Sequence, residues 1–190
     1  MNPGEAHVWR VRLNEIDALS PTPGELARAA RFRFGVHKQQ YLRSHGALRT
    51  ILRELTDSRL DFAVAEGGKP YLPGDPHLKF NLAHSGDMAL VGVALDVEQL
   101  RPLTNYVLMA ERFFPPSEAA GVADERDFFR RWTRIEAAVK ASGVGIYAAG
   151  TELTGPWTIE ELDAGPDYAA AVALPWAEIK IIVHDFGGDG

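Results

Sequence analysis

Residues Phe128 to Gly145 read FFRRWTRIEAAVKASGVG, with the start, the stripe and the stop of one amphipathic helix. Asp124 is placed to cap it, and Asp127, three residues on, favours the positive end of the helix. Phe128, Trp132, Ile135 and Val139 recur at i, i+4, i+7 and i+11, the spacing of a single buried face. Gly143 suits the position just past the last turn, so the helix is expected to end there. Glu136 and Lys140 stand four residues apart, one residue off the buried face, where a cleft would begin. As an exposed pair they contribute only about 0.2–0.5 kcal/mol. Any stronger reason for them must come from other parts of the chain.

The chain of 190 residues is long enough for one compact domain, or for two small lobes sharing an interface. It has no cysteine. That excludes disulfides, thiolate metal sites and a thiol nucleophile, and agrees with a reducing compartment. Glu5, His7 and Arg10 fall where a signal peptide needs an apolar core. The longest apolar run, Met88 to Leu95, is too short to span a bilayer. A cytoplasmic protein with no membrane association is therefore expected. Residues 1–55 carry nine Lys/Arg against five Asp/Glu, whereas the remainder carries eleven against twenty-one. Nucleic acid is not expected as a partner of so acidic a chain. The basic first part leaves room for a phosphorylated ligand or an acidic protein.

His7 to Leu13 alternates and is β-rich, so it reads as a strand. After Pro21 and Pro23, helices are expected over about Glu25–Phe34 and His37–Leu55. The stretch 26–53 holds seven basic residues and no acid, and Arg28 and Arg31 share a face there, one turn apart. Such a run suits a phosphate-binding face or a solvated one. Asp61–Leu72 reads as a hairpin around Gly67-Gly68, and Lys79–Ser85 as a strand delivering His84, Ser85 and Gly86 to its end. Met88–Glu98 is strand-like throughout. In its last part Leu95 and Val97 alternate with Asp96 and Glu98, which sets both carboxylates on one face, about 7 Å apart. Together with Glu136 they make three carboxylates from two elements, an all-oxygen set suited to Mg²⁺. Short helices at Asn105–Phe113 and Ser117–Ala120 precede the long one. Strands at Thr158–Leu162, Tyr168–Leu174 and Glu178–His184 follow it, the first two joined by a turn at Asp163–Asp167, and Gly187–Gly190 reads as a loose tail. Each half places helices before hairpin strands, as two related lobes would.

Gly68-Lys69-Pro70, Phe80 to Gly86 (FNLAHSG), Asp96-Val97-Glu98, Phe113-Phe114-Pro115, Trp132 to Ala137 (WTRIEA) and Lys140-Ala141 occur in that order. In this order and spacing the sequence resembles the Sfp-type 4′-phosphopantetheinyl transferases over roughly Arg28 to Gly145. The resemblance implies an α+β, pseudo-twofold fold of two similar lobes, taken as 1–100 and 101–190, with the active site between them. It also implies the reaction, in which a serine of an acyl or peptidyl carrier protein attacks the β-phosphate of coenzyme A. Phosphopantetheine is transferred and 3′,5′-ADP leaves, with Mg²⁺ as cofactor. By the same resemblance Asp96, Glu98 and Glu136 hold the metal, and Lys140 reaches a phosphate. Glu136 is the general base, directly or through a metal-bound water. His84 hydrogen-bonds a phosphate, and Lys69, Arg28 and Arg31 hold the 3′-phosphate and its surroundings. A monomer is expected, since one chain holds both lobes.

Three departures stand out. Ile135 replaces a lysine usual before the helix glutamate, and Ala83 a serine usual before the histidine. The third concerns the nine residues Asp87 to Leu95, which separate Gly86 from Asp96. They span about 30 Å at most, enough for one strand and no hairpin, where the family has a turn and a whole second strand. The lobe is therefore expected either to lack a strand or to bring Asp96 in from another direction, and the segment after Gly145 also reads as shortened. Two other functions are consistent with these features. One is a degenerate relative that binds coenzyme A or a carrier without transfer, and the other is an unrelated Mg²⁺-dependent phosphohydrolase.

Overall fold

The alternating run near the N-terminus forms a strand over Glu5–Arg12 in which Ala6, Val8 and Val11 are buried. The computed structural model describes residues 4–65, 68–143, 157–174 and 179–187. In chain order the elements are β1 (Glu5–Arg12), α1 (Pro23–Ala29), α2 (Gly35–Leu55), β2 (Ala63–Val64), β3 (Pro70–Tyr71), β4 (Asn81–Ser85), β5 (Met88–Gly92) and β6 (Ala94–Gln99). There follow α3 (Tyr106–Phe113), α4 (Pro116–Ala119), α5 (Glu125–Ser142), β7 (Thr158–Glu161), β8 (Tyr168–Leu174) and β9 (Lys180–Phe186). The mixture is α+β, as expected.

Among the described residues three sheets form: β4-β5-β1-β9, β6-β8-β7 and the small β2-β3 pair. β1 pairs antiparallel with β5 and parallel with β9. The second sheet is antiparallel throughout. The two larger sheets face each other across Ala6, Val8 and Leu90 on one side and Leu95, Val97 and Val172 on the other. Helix α2 covers the outer face of the first sheet through Leu48, Ile51 and Leu52, against Val11, Phe80 and Val91. Helix α5 covers the second. Its Ala137 and Ala138 lie on Ala171 and Ala173 of β8, small residues on both sides letting helix and sheet approach closely. The result is a stack of helix, sheet, sheet, helix.

Helix α5 begins and ends where its sequence requires. Asp124 accepts a hydrogen bond from the Asp127 amide at 2.8 Å, and Gly143 adopts the left-handed conformation (φ 76°) that closes the last turn. Phe128, Ile135 and Val139 are buried and Trp132 partly so. Phe114 stacks on Phe128 at 5.1 Å, so packing beneath α5 accounts for Phe113-Phe114-Pro115.

Helix α1 is shorter than expected, stopping at Ala29 rather than Phe34. Thr22 and Glu25 form a reciprocal capping box with Pro23 in the first turn, which fixes the start. At the other end Arg31 N bonds Arg28 O and Phe32 N bonds Ala29 O, i→i+3 contacts that tighten and end the helix. Arg31 therefore lies in a turn, not one helical turn along a shared face. Arg49 explains one of the seven basic residues: it ion-pairs with Glu25 and donates to Leu19 O (2.7 Å) and Ser20 O (2.9 Å), clamping α1 to α2.

Of the two alternatives expected after Gly86, the loss of a strand does not occur. The turn is Gly86-Asp87, the strand is β5, and β4 pairs with it in regular antiparallel register from Asn81↔Gly92 to Ser85↔Met88. What is short is the connection from β5 to β6, a single residue, Val93. The chain needs no hairpin there because β6 leaves for the second sheet. Gly92 permits the crossing: a Cβ on it would lie 2.7 Å from Leu95 Cδ2 and 3.0 Å from His7 O. The expected hairpin of residues 61–72 is present as β2-β3, with residues 66–67 outside the described set. The apparently shortened segment after Gly145 falls within residues 144–156, also outside it, and of the expected tail only Gly187 is described.

Candidate active site

Period-2 alternation in β6 sends Leu95 and Val97 into the core between the sheets and leaves Asp96 and Glu98 facing α5. Lys140, in the last turn of α5, meets Asp96 there. Its Nζ donates to Asp96 Oδ1 at 2.6 Å and to Leu95 O at 3.1 Å. Asp96 is 6% exposed, and its other oxygen, Oδ2, is buried with no hydrogen-bond partner. Leaving an acceptor in that state costs about 1–3 kcal/mol, more for a charged group. Burial pushes the Asp96 carboxyl up to about 7. Lys140 pulls the other way, and the charges of Glu98 and Glu136 add to the rise.

Glu136 is half-buried, and loss of hydration raises its pKa, with Lys140 opposing the shift and Glu98 reinforcing it. Glu98 accepts from Ser85 Oγ at 2.8 Å and lies 3.7 Å from Arg101 Nη1. The three carboxylates are thus close enough to feel one another, but among the described residues no three Asp, Glu or His side chains are gathered as a metal-holding group. Lys140 holds the position on Asp96 Oδ1 that a cation would otherwise share. Fit to a hard divalent cation rests on the donor chemistry, oxygen throughout, and on the unpartnered Asp96 Oδ2.

His84 is the penultimate residue of β4, exposed, on the same side of the strand as Leu82. Desolvation lowers its pKa, Glu98 works against that, and His37 and Lys140 add to the lowering. It therefore lies within electrostatic reach of both α5 and the start of α2. Lys69, on the β2-β3 hairpin, donates to the Lys140 carbonyl at 3.3 Å. A cation at a helix C-terminus is favourably placed, though burial, then Lys79, lowers its pKa. Lys69, His84, Lys140 and the three carboxylates thus belong to one region.

Arg28 and Arg31 lie outside that region. They line a separate hollow of about 300 Å³ with Phe32, and the Arg28 guanidinium sits 5.9 Å from the Tyr41 ring centre. His45, next along α2, connects the two places: burial lowers its pKa, and it feels both Arg28 and His84. An apolar cavity of about 280 Å³ lined by Trp9, Leu52, Leu55 and Phe80 lies by the other end of α2 and contains none of the candidate residues.

Sequence reading gave no role to Ser85, His37, His45 or Arg101. Ser85 stands in the FNLAHSG run but binds a residue thirteen positions away. The two histidines lie on a helix read only for its charge.

Comparison with known proteins bears on the same residues. Residues 92–176, which run from β6 through α5 to the end of β8, match the model of the 4′-phosphopantetheinyl transferase superfamily. The 4′-phosphopantetheinyl transferase HetI of Nostoc sp. strain PCC 7120 is 32% identical over 90% of this chain and 87% of its own length. The 4′-phosphopantetheinyl transferase psf-1 of Bacillus pumilus is 32% identical over 92% and 78%. The 4′-phosphopantetheinyl transferase AcpT of Salmonella typhimurium is 32% identical over 72% and 75%. With the order of its motifs, the placement of Asp96 against Lys140 and this likeness along most of its length, the chain belongs to the 4′-phosphopantetheinyl transferase superfamily.

Proposed function

We propose that this transferase moves the 4′-phosphopantetheine of coenzyme A to a serine of an acyl or peptidyl carrier protein, with Mg²⁺ in the cleft and 3′,5′-ADP released. The observation that supports the reading best is the buried Asp96, with one oxygen on Lys140 and the other unpartnered beside Glu98 and Glu136. Asp96, Glu98 and Glu136 would hold the cation, which supplies charge neutralisation on the pyrophosphate. The remaining chemistry belongs to the chain. A raised pKa makes Glu136 a stronger base than an exposed glutamate, suited to accept the serine proton as the Oγ–P bond forms. The bond between the β-phosphorus and the bridging oxygen breaks, and its electron pair leaves on 3′,5′-ADP. Lys140 has three N–H donors and spends two on Asp96 and Leu95. The third can meet a phosphate oxygen without giving up either bond. His84 would donate one ring N–H to a phosphate oxygen.

Within this reading the halves divide near residue 100 into pseudo-twofold lobes, each lending a strand to the other's sheet: β6 to the second and β9 to the first. No described helix is long and apolar enough to cross a membrane. A cytoplasmic monomer acting on neither nucleic acid nor membrane is the state we propose.

The decisive experiment incubates the protein with coenzyme A, Mg²⁺ and an apo carrier protein and weighs the carrier. A gain of one phosphopantetheine is expected. Unchanged carrier mass with measurable coenzyme A binding would mean a binder without transfer, and coenzyme A cleavage without carrier would mean a hydrolase. A second test concerns the arginine hollow. Arg28→Ala and Arg31→Ala should raise the KM for coenzyme A by about tenfold, the scale of one lost charge-assisted hydrogen bond. The KM for the form lacking the 3′-phosphate should hardly move. Equal losses with both substrates would remove the arginines from the 3′-phosphate.

A further inference from the structure

Ser85 is the last residue of β4, an edge strand of the first sheet, and it reaches across to β6, an edge strand of the second. A hydroxyl offers one donor and two acceptor positions, and Ser85 uses it in both senses. Its Oγ donates to Glu98 Oε2 at 2.8 Å and accepts from the Gln99 amide at 3.0 Å. Two successive residues of β6 are therefore tied to one atom of β4, where the strands have no ladder between them. Arg101 reaches the same carboxylate oxygen, Oε2, at 3.7 Å. Both contacts fall on that one oxygen, so among the described residues Oε1 is the oxygen left for a ligand.

We propose that Ser85 is a positioning residue that fixes the Glu98 carboxylate for the cation and couples its placement to the strand carrying His84. The inference rests on the reading of Glu98 as a cation ligand. A flexible glutamate has three rotatable bonds, and ordering them at the moment of binding costs affinity. A hydroxyl already bonded to one oxygen, itself held by a backbone amide, removes most of that cost. Partners that orient ligating carboxylates commonly change metal affinity by about 10–100-fold when removed. The same bond ties the phosphate-facing end of β4 to β6, so His84 and Glu98 keep a fixed separation across the seam between the sheets. No other described side chain of β4 hydrogen-bonds a side chain of β6.

The test uses the full chain with Mn²⁺ as probe, titrated in the presence of coenzyme A and without carrier protein, following free Mn²⁺ by electron paramagnetic resonance. Ser85→Ala should weaken Mn²⁺ binding by about 10–100-fold, and Ser85→Thr, which keeps the hydroxyl on a strand-favouring side chain, should restore most of it. In turnover Ser85→Ala should raise the Mg²⁺ concentration for half-maximal rate, leaving the rate at saturating Mg²⁺ much less affected. Thermal melting of both variants reports the structural share of the bond, which a change in Mn²⁺ affinity does not. Glu98→Gln serves as the control. If Glu98→Gln weakens Mn²⁺ binding and Ser85→Ala does not, the positioning role is refuted and the metal reading stands. If Glu98→Gln leaves Mn²⁺ binding unchanged, or the wild type binds no Mn²⁺ beyond that held by coenzyme A, the metal reading fails and this inference with it.

Discussion

Glu136→Gln is expected to lower phosphopantetheine transfer by roughly 10²–10⁴-fold, the range for loss of a positioned general base, while the protein folds and binds coenzyme A. The amide matches the carboxylate in shape and keeps an oxygen, but it cannot accept the serine proton. Stability should not suffer. Burial disfavours the charge on Glu136, and neighbouring Glu98 adds to the cost, so neutralising the group relieves both effects. The measurements are carrier mass against time and coenzyme A binding by calorimetry. Transfer at the wild-type rate would show that another group takes the proton. Loss of transfer together with lost coenzyme A binding would show that Glu136 acts through the cation it helps to hold rather than as the base.

The second large effect concerns Asp96, where activity and stability should move in opposite directions. Its folded-state pKa, about 7, lies above the ordinary 3.8. Between those values the folded protein holds a proton that the unfolded chain has released, so stability falls as pH rises through that window. By pH 8 the full penalty is present, the buried charge being only partly met by Lys140. Asp96→Asn removes the charge, and its amide oxygen can still accept from Lys140. Measured in EDTA at pH 8, the variant should melt above the wild type, by roughly 2–4 °C for each kcal/mol recovered in a chain of this size. The gap should close towards pH 4. In the same variant transfer should be lost, because a cation ligand is gone, and added Mg²⁺ should raise the melting temperature of the wild type only. A variant that melts lower at pH 8 would show that the Lys140 contact outweighs the burial of Asp96.

These two variants separate roles that lie close together. Glu136 is half-buried and available to a substrate, whereas Asp96 is enclosed beneath Lys140. Strain concentrated on one buried carboxylate is a known cost of a preformed ligand site.

The sequence by itself settled what depends on neighbours along the chain. The bounds of α5 follow from Asp124 and Gly143, a cap and a stop acting within one turn each. The placement of Asp96 and Glu98 on the same side of β6 follows from a period of two, and the proximity of Glu136 to Lys140 from a period of 3.6. Such rules are local, and nothing distant overrides them here. The end of α1 is hidden in the sequence because basic and apolar residues continue past Ala29, and only the i→i+3 turn before Gly35 shows where the helix stops.

Only the tertiary structure decided how the pieces meet. That β5 and β6 belong to different sheets, joined through Val93 alone, depends on partners far along the chain, such as Ala171 opposite Asp96. The same holds for the Lys140 contact with Asp96, the Lys69 contact with the end of α5 and the Ser85 bond to Glu98. Each joins elements that carry no sign of one another in their local pattern. Residue spacing fixes which face a side chain takes, but the pairing of faces is set by burying all of them at once in a single stack of two sheets and two helices.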